Sequence, residues 1–287
     1  MNSPHWLDRS EYPFSSHYLE VSGGNMHYVD VGQGKPIVMV HGTPAWSFLY
    51  RKLIKHLSST YRCIALDHVG FGLSEKPPHW NYTPQAHASN LEQLIAYLNL
   101  KDITLIVHDF GGPIGLSYAL NHPDTINKIV ILNTWMWSLQ EDADIQKKLA
   151  IVKSPLLSIL YKYFNFSAKV LMPQAAGNQS IFTKKLHQQY TKPFGKPSER
   201  MGTLKFAKSL IEADNWFASL WERRNVLVDK PALIVWGMQD KFITSKQLDK
   251  WKTVFTQSKV IESTDSGYWL QEEEPLLSFW IEQFINN

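Results

Sequence analysis

The sequence predicts an α/β fold, a mostly parallel eight-stranded sheet with helices on both faces and an inserted helical cap. Three observations predict it. Short apolar runs alternate with segments whose apolar residues recur at helical spacing, the pattern of a parallel sheet covered on both sides. A Gly-rich hairpin signal opens the chain and adds an antiparallel edge. Between residues 138 and 227 the alternation stops, and helical patterns with Pro and Gly breaks run on without a strand. The expected organisation is therefore a core of residues 1–137 and 228–287, with 138–227 as the cap.

Taken in order, 17–21 and 26–31 are strands joined by Ser22-Gly23-Gly24-Asn25. Residues 37–40, 63–66, 103–107, 129–132 and 232–236 are apolar runs of strand length. Residues 47–57, 83–98 and 113–120 are helical, and 245–255 and 275–285 alternate with the last strands. In the cap, Phe164, Phe166, Phe194, Phe206, Trp216, Phe217 and Trp221 form its own core, with one or two left to line a pocket. No internal repeat, low-complexity tract or flexible linker interrupts the chain.

Composition narrows the function. The chain has 287 residues, 44% of them apolar, enough for a sizeable core. Its net charge of +3 is small and no Lys/Arg run concentrates it, so neither nucleic acid nor an anionic membrane is expected as a partner. The single cysteine, Cys63, lies in an apolar run, which points to a packing role and a reducing, cytoplasmic compartment. The polar N-terminus, with Asp8, Arg9 and Glu11, lacks the apolar centre of a cleavable signal. No run is long enough to span a bilayer. No His/Cys/Asp group has ligand spacing, so neither metal nor cofactor is expected.

The chemistry starts at Leu105-Ile106-Val107-His108-Asp109-Phe110-Gly111-Gly112, a buried strand running into a sharp turn with an acid at its apex. Such a nucleophile elbow pushes the apical residue into a pocket, and small residues after it let strand and helix approach. A carboxylate with a reference pKa of ~3.9 is ionised at neutral pH and can attack without a base. The competing role for Asp109 is a helix N-cap. His41-Gly42-Thr43-Pro44 follows the third strand. Alone it is a β-turn, but beside the elbow its Thr43 N–H, with that of Phe110, forms an oxyanion hole.

With Asp67-His68-Val69-Gly70-Phe71-Gly72-Leu73-Ser74 and Gly237-Met238-Gln239-Asp240, these segments resemble the α/β-hydrolase superfamily. Within it they are similar to the haloalkane dehalogenase and epoxide hydrolase branch, in which the nucleophile is Asp. The resemblance covers nearly the whole chain and implies an α/β-hydrolase fold. It implies Asp240 as the acid of a catalytic triad, which holds a histidine in its tautomer and stabilises its charge. Asp67, beside a Gly-rich turn, is read as structural. The other place for an acid, after the strand ending at Leu132, holds Asn133 and Thr134.

The pattern breaks at Ser266-Gly267-Tyr268-Trp269-Leu270-Gln271-Glu272-Glu273, where Tyr268 stands at the position of the family's catalytic histidine. The last histidine in the chain is His187, in the cap, and His41 and His108 are assigned to packing and loop hydrogen bonding. A phenol with a reference pKa of ~10 is a poor base, so Asp109 can form an alkyl ester while hydrolysis of that ester stalls. An engineered His-to-Tyr replacement is preferred over natural loss. Phe110 replaces the indole donor that many dehalogenases place after the nucleophile. Thr43, Trp46, Trp135, Trp137 and the cap residues Trp216 and Trp221 are the candidates for the pocket wall or for a halide.

The leading expectation is a haloalkane dehalogenase-type hydrolase acting through an Asp109 ester. Its partners would be a small apolar substrate and a halide ion, and its assembly a monomer or weak homodimer. An epoxide hydrolase is the rival, with Tyr161, Tyr163 and Tyr190 as ring-opening donors. A non-catalytic receptor for a small ligand is the alternative outside enzymes.

Overall fold

The computed structural model describes residues 4–140 and 143–287. Residues 1–3 and 141–142, assigned above to core and cap, lie outside the described residues. Eight strands form one sheet: β1 (His17–Val21), β2 (Gly24–Val31), β3 (Pro36–Val40), β4 (Arg62–Leu66), β5 (Ile103–Asp109), β6 (Ile126–Thr134), β7 (Ala232–Gly237) and β8 (Lys259–Ser263). Their order is β1-β2-β4-β3-β5-β6-β7-β8. β2 is antiparallel to β1 and β4 and every other pair is parallel.

The helices of the core are α1 (Arg51–Leu57), α2 (Pro84–Tyr97) and α3 (Gly111–Asn121). Between β6 and β7 come α4 (Ala143–Val152), α5 (Pro155–Phe164), α6 (Met172–Gln174), α7 (Lys184–Thr191), α8 (Met201–Glu212) and α9 (Asp214–Glu222). The chain closes with α10 (Ser245–Val254), α11 (Leu270–Glu273) and α12 (Leu277–Asn286). No strand occurs among the described residues between β6 and β7.

Local chemistry explains where elements begin and end. The first hairpin pairs Val21 with Gly24, so the turn is Ser22-Gly23 alone and Asn25 already belongs to β2. The segment 47–57 divides into a 3-10 turn, Ser47–Tyr50, and α1. Thr83 caps α2 by accepting the Ala86 N–H at 3.3 Å, with Pro84 in its first turn. The tail helix pattern, 275–285, is α12, and the short α11 precedes it. Strands β3, β5 and β7 are buried almost throughout, as a sheet covered on both faces requires.

In the insertion between β6 and β7, Phe194, Phe206 and Phe217 are fully buried, while Phe164 is exposed and, against the expectation, belongs to no core. Phe164 is the last residue of α5, and the left-handed Asn165 then turns the chain away.

Candidate active site

The carboxyl ends of β3, β5, β6 and β7 and the loop after β8 meet beneath the helices inserted between β6 and β7. Asp109 ends β5 with φ 51°, in the left-handed region, and Phe110 opens the turn into α3. This is the strained apex of an elbow. A Cβ on Gly111 would collide with the Val40 carbonyl, and one on Gly112 with Thr134 Oγ1, so strand and helix approach this closely only with glycine there. Asp109 does not cap α3. Its Oδ2 accepts the Thr43 N–H at 2.7 Å, and the Phe110 N–H also donates to the carboxylate. The two amides assigned to an oxyanion hole therefore both serve the Asp109 carboxylate.

Tyr268 lies against the same carboxylate. Its hydroxyl is in hydrogen-bonding contact with Asp109 and donates to the Thr43 carbonyl at 3.0 Å. Burial, reinforced by the negative charge of Asp109, holds the phenol well above its ordinary range. It is a neutral donor. Burial likewise pushes the Asp109 carboxyl up to about 7, against the N–H donors of Thr43 and Phe110 and the phenol of Tyr268, which pull it down.

Asp240 is buried in the loop after β7. Its Oδ1 accepts the Phe242 and Ile243 amides at 2.7 and 3.0 Å, and its Oδ2 accepts Asn133 Nδ2 at 2.9 Å. Asn133 also bridges the strands, donating to the Gly237 carbonyl and accepting the Gly237 N–H. Burial raises Asp240 to about 7 as well, and the charge of Asp109 adds to the rise.

Neither nearby histidine replaces a base. His108 Nε2 donates to the Tyr268 carbonyl at 2.8 Å and burial lowers the ring to about 4. His41 donates from Nδ1 to the Gly42 carbonyl at 2.7 Å, accepts the His68 N–H at Nε2, and burial lowers it too to about 4. Asp67 organises its own loop: it accepts the Ser47 and Leu73 amides at 2.7 Å and pairs with His27 Nδ1 at 2.9 Å.

A cavity of about 370 Å³ opens over Asp109. At its floor lie Thr43, Asp109, Phe110, Trp135 and Tyr268, and its walls are apolar side chains such as Leu149, Leu157, Phe166 and Leu210. No histidine lines it among the described residues. Of the five tryptophans expected at the pocket, Trp135 lines this cavity and its buried Nε1 has no hydrogen-bond partner.

The other four correct the expectation. Trp46 Nε1 donates to the Gln189 carbonyl at 2.9 Å in an aromatic cluster with Trp6, Tyr12 and Phe48. Trp137 and Trp221 pack edge-on against each other and against Trp251, with the Lys250 ammonium over their rings. Trp216 faces a separate cleft beside Ser117 and Tyr118.

Of the three cap phenols, Tyr161 lines the cavity, Tyr163 is exposed, and Tyr190 is buried and donates to Glu272 Oε1 at 2.6 Å. Sequence reasoning missed Asn133 as the partner of Asp240. The available signal was its place at the carboxyl end of the strand beside the one carrying Asp240.

Residues 35–275 match the alpha/beta hydrolase fold family, to which the chain belongs. It is 36% identical over 274 residues to a cis-3-alkyl-4-alkyloxetan-2-one decarboxylase of Shewanella oneidensis, covering 91% of this chain and 85% of the relative. It is 31% identical over 270 residues to haloalkane dehalogenase 2 of Mycobacterium bovis, covering 93% of each. The fold superposes on the haloalkane dehalogenase DatA of Agrobacterium tumefaciens with a TM-score of 0.82 at 22% identity, covering 94% of this chain and 97% of DatA. On the epoxide hydrolase CorEH the TM-score is 0.80 at 21% identity, over 95% and 99% of the two chains.

Proposed function

We propose that this chain, with residues 138–227 as its cap, is an enzyme in which Asp109 attacks a saturated carbon of an apolar substrate and the reaction finishes without hydrolysis. The substrate class is a β-lactone carrying alkyl arms, converted to an alkene and carbon dioxide. One observation carries this reading: a neutral phenol, Tyr268, occupies the place from which a base would activate water. The apolar cavity and the decarboxylase relative support it.

The steps balance without water. An Asp109 oxygen bonds to the ring carbon bearing the lactone oxygen, that C–O bond breaks, and a free carboxylate remains on the neighbouring carbon. The Tyr268 and Tyr161 hydroxyls and the Trp135 N–H are the donors at hand for that developing charge. The bond to the carboxylate then breaks, and its electron pair forms the C=C bond. The Asp109–carbon bond breaks in turn and returns the nucleophile as a carboxylate. Inversion at the attacked carbon followed by anti loss of the two groups keeps cis arms cis.

The unpartnered Trp135 N–H favours a second reading, a dehalogenase arrested at its ester, with Trp135 holding the departing halide. An epoxide hydrolase fits less well, because one cap phenol, not a pair, reaches the cavity and the product still requires hydrolysis.

The test is incubation with a cis-dialkyl β-lactone in ¹⁸O-water, with products identified by gas chromatography and mass spectrometry. Alkene without labelled hydroxy acid is expected, and labelled hydroxy acid overturns the reading. A stable bromoalkane adduct on Asp109 without alkene from the lactone, cleared in Tyr268→His with halide release, moves the second reading ahead. Absence of any product or adduct leaves a receptor.

A further inference from the structure

The cap has an outer face that takes no part in the site. Helix α5 presents Leu157 and Tyr161, one turn apart, to the cavity. On its other side Leu156, Ile159 and Tyr163 are 56%, 48% and 59% exposed, at the i, i+3, i+7 spacing of one helical stripe. Phe164 and Val170 are exposed as well, so five of the eleven exposed large apolar residues among the described residues fall within fifteen positions. Scattered exposed apolar residues are ordinary, whereas a contiguous set marks an interaction surface.

Charge is gathered in the same part of the chain. Residues 138–227 hold 14 Lys and Arg against seven Asp and Glu, while the rest of the chain holds 15 against 19. From residue 145 to 198 there are nine lysines and no acidic residue. Lys153 and Lys169, both exposed, flank the apolar stripe, and Lys162 sits within it, its ammonium 5.7 Å from the Tyr163 ring.

We infer that the outer face of α5 docks the protein onto an anionic lipid surface. Lysines around an apolar stripe match phosphate headgroups around acyl chains, the pattern of a helix lying in an interface. Nucleic acid would use the charge and leave the apolar side chains in water. A symmetric contact with a second copy would set the same lysines against one another. No helix among the described residues is long and apolar enough to cross a membrane, so the attachment is peripheral. One helix then separates the bilayer surface from an apolar cavity, which suits a substrate that partitions into lipid. The inference concerns binding and stands whatever reaction Asp109 performs.

The full chain is sedimented with vesicles of phosphatidylcholine alone and of phosphatidylcholine mixed with phosphatidylglycerol. Binding to the mixed vesicles only, weakened by salt, is expected. The triple variant Lys153→Gln, Lys162→Gln, Lys169→Gln should bind on the order of 10²-fold more weakly, at about five-fold per lysine. Leu156→Ser, Ile159→Ser, Tyr163→Ser should also lose binding with every charge in place. Circular dichroism and urea unfolding control for folding. No binding by the parent chain, equal binding to neutral vesicles, or wild-type binding by either triple variant overturns the inference. So does a dimer in sedimentation velocity that the serine variant abolishes while vesicles remain unbound, an outcome that assigns the face to self-association.

Discussion

Replacing Asp109 by Asn should stabilise the fold, and the gain should grow with pH. Burial pushes the Asp109 carboxyl up to about 7 from 3.8. Between those values the native chain holds a proton that the unfolded chain has released, so native stability falls as pH rises, by ~1.4 kcal/mol per unit for one proton. Below the lower value both states are protonated, and above the upper both are ionised, so the gradient is confined to that window. From pH 5 to pH 8 the penalty grows by roughly 2–3 kcal/mol, a large part of a total stability of ~5–15 kcal/mol. Asn tolerates the left-handed backbone of the elbow and keeps an oxygen for the Thr43 amide, so the variant isolates the charge. Urea unfolding of both proteins at pH 5 and pH 8 measures it. Because Asp240 titrates in the same region, the quantity to read is the difference between the two proteins at each pH. An advantage for the Asn variant that is independent of pH, or smaller at pH 8, would refute a buried, raised Asp109.

Trp135→Phe keeps the cavity wall and removes its unpartnered N–H, so alkylation of Asp109 by a bromoalkane should slow by roughly 10²-fold; an unchanged single-turnover rate by mass spectrometry excludes Trp135 as the leaving-group donor. Arg51→Met leaves Glu272 buried with Lys52 and Tyr190 as its remaining partners, and should cost about 3 kcal/mol in urea unfolding. A loss below about 1 kcal/mol would mean that those two partners suffice.

The strands were legible because a buried parallel strand is a continuous apolar run, and β3, β5 and β7 are such runs. Strand β8, Lys259–Ser263, is only partly covered at the sheet edge and its apolar content is the single pair Val260-Ile261, so the resemblance implied it rather than its composition. Asp109 was legible because strand, acid and glycines are adjacent in the chain. The surroundings of Asp240 were not, because Asn133 reaches it from a different strand, 107 residues away. The tryptophans misled for a related reason: an indole reads alike in sequence whether it faces a cavity or, as Trp46 does, a backbone carbonyl in an aromatic cluster. The charge between β6 and β7 is hard to see in the sequence because nine lysines spread over 54 positions form no run, although the fold collects them in one insertion.

The geometry around Asp240 separates what the fold needs from what catalysis needs. Keeping a nucleophile and an acid together argues against a receptor only if the acid has no other task. Asp240 has one: it ties the Phe242 and Ile243 amides and Asn133 into a single buried knot between β6 and β7. Removing it would leave those donors buried without an acceptor, at ~1–3 kcal/mol each, so structure alone accounts for its presence. Asp109 has no such excuse. Burial raises it, its backbone is strained, it caps no helix, and it lines the cavity floor. A fold that needed only an elbow there would be more stable with a neutral residue. Asp109 by itself therefore carries the mark of catalysis, and the pH-dependent gain expected of Asp109→Asn measures the cost of keeping it.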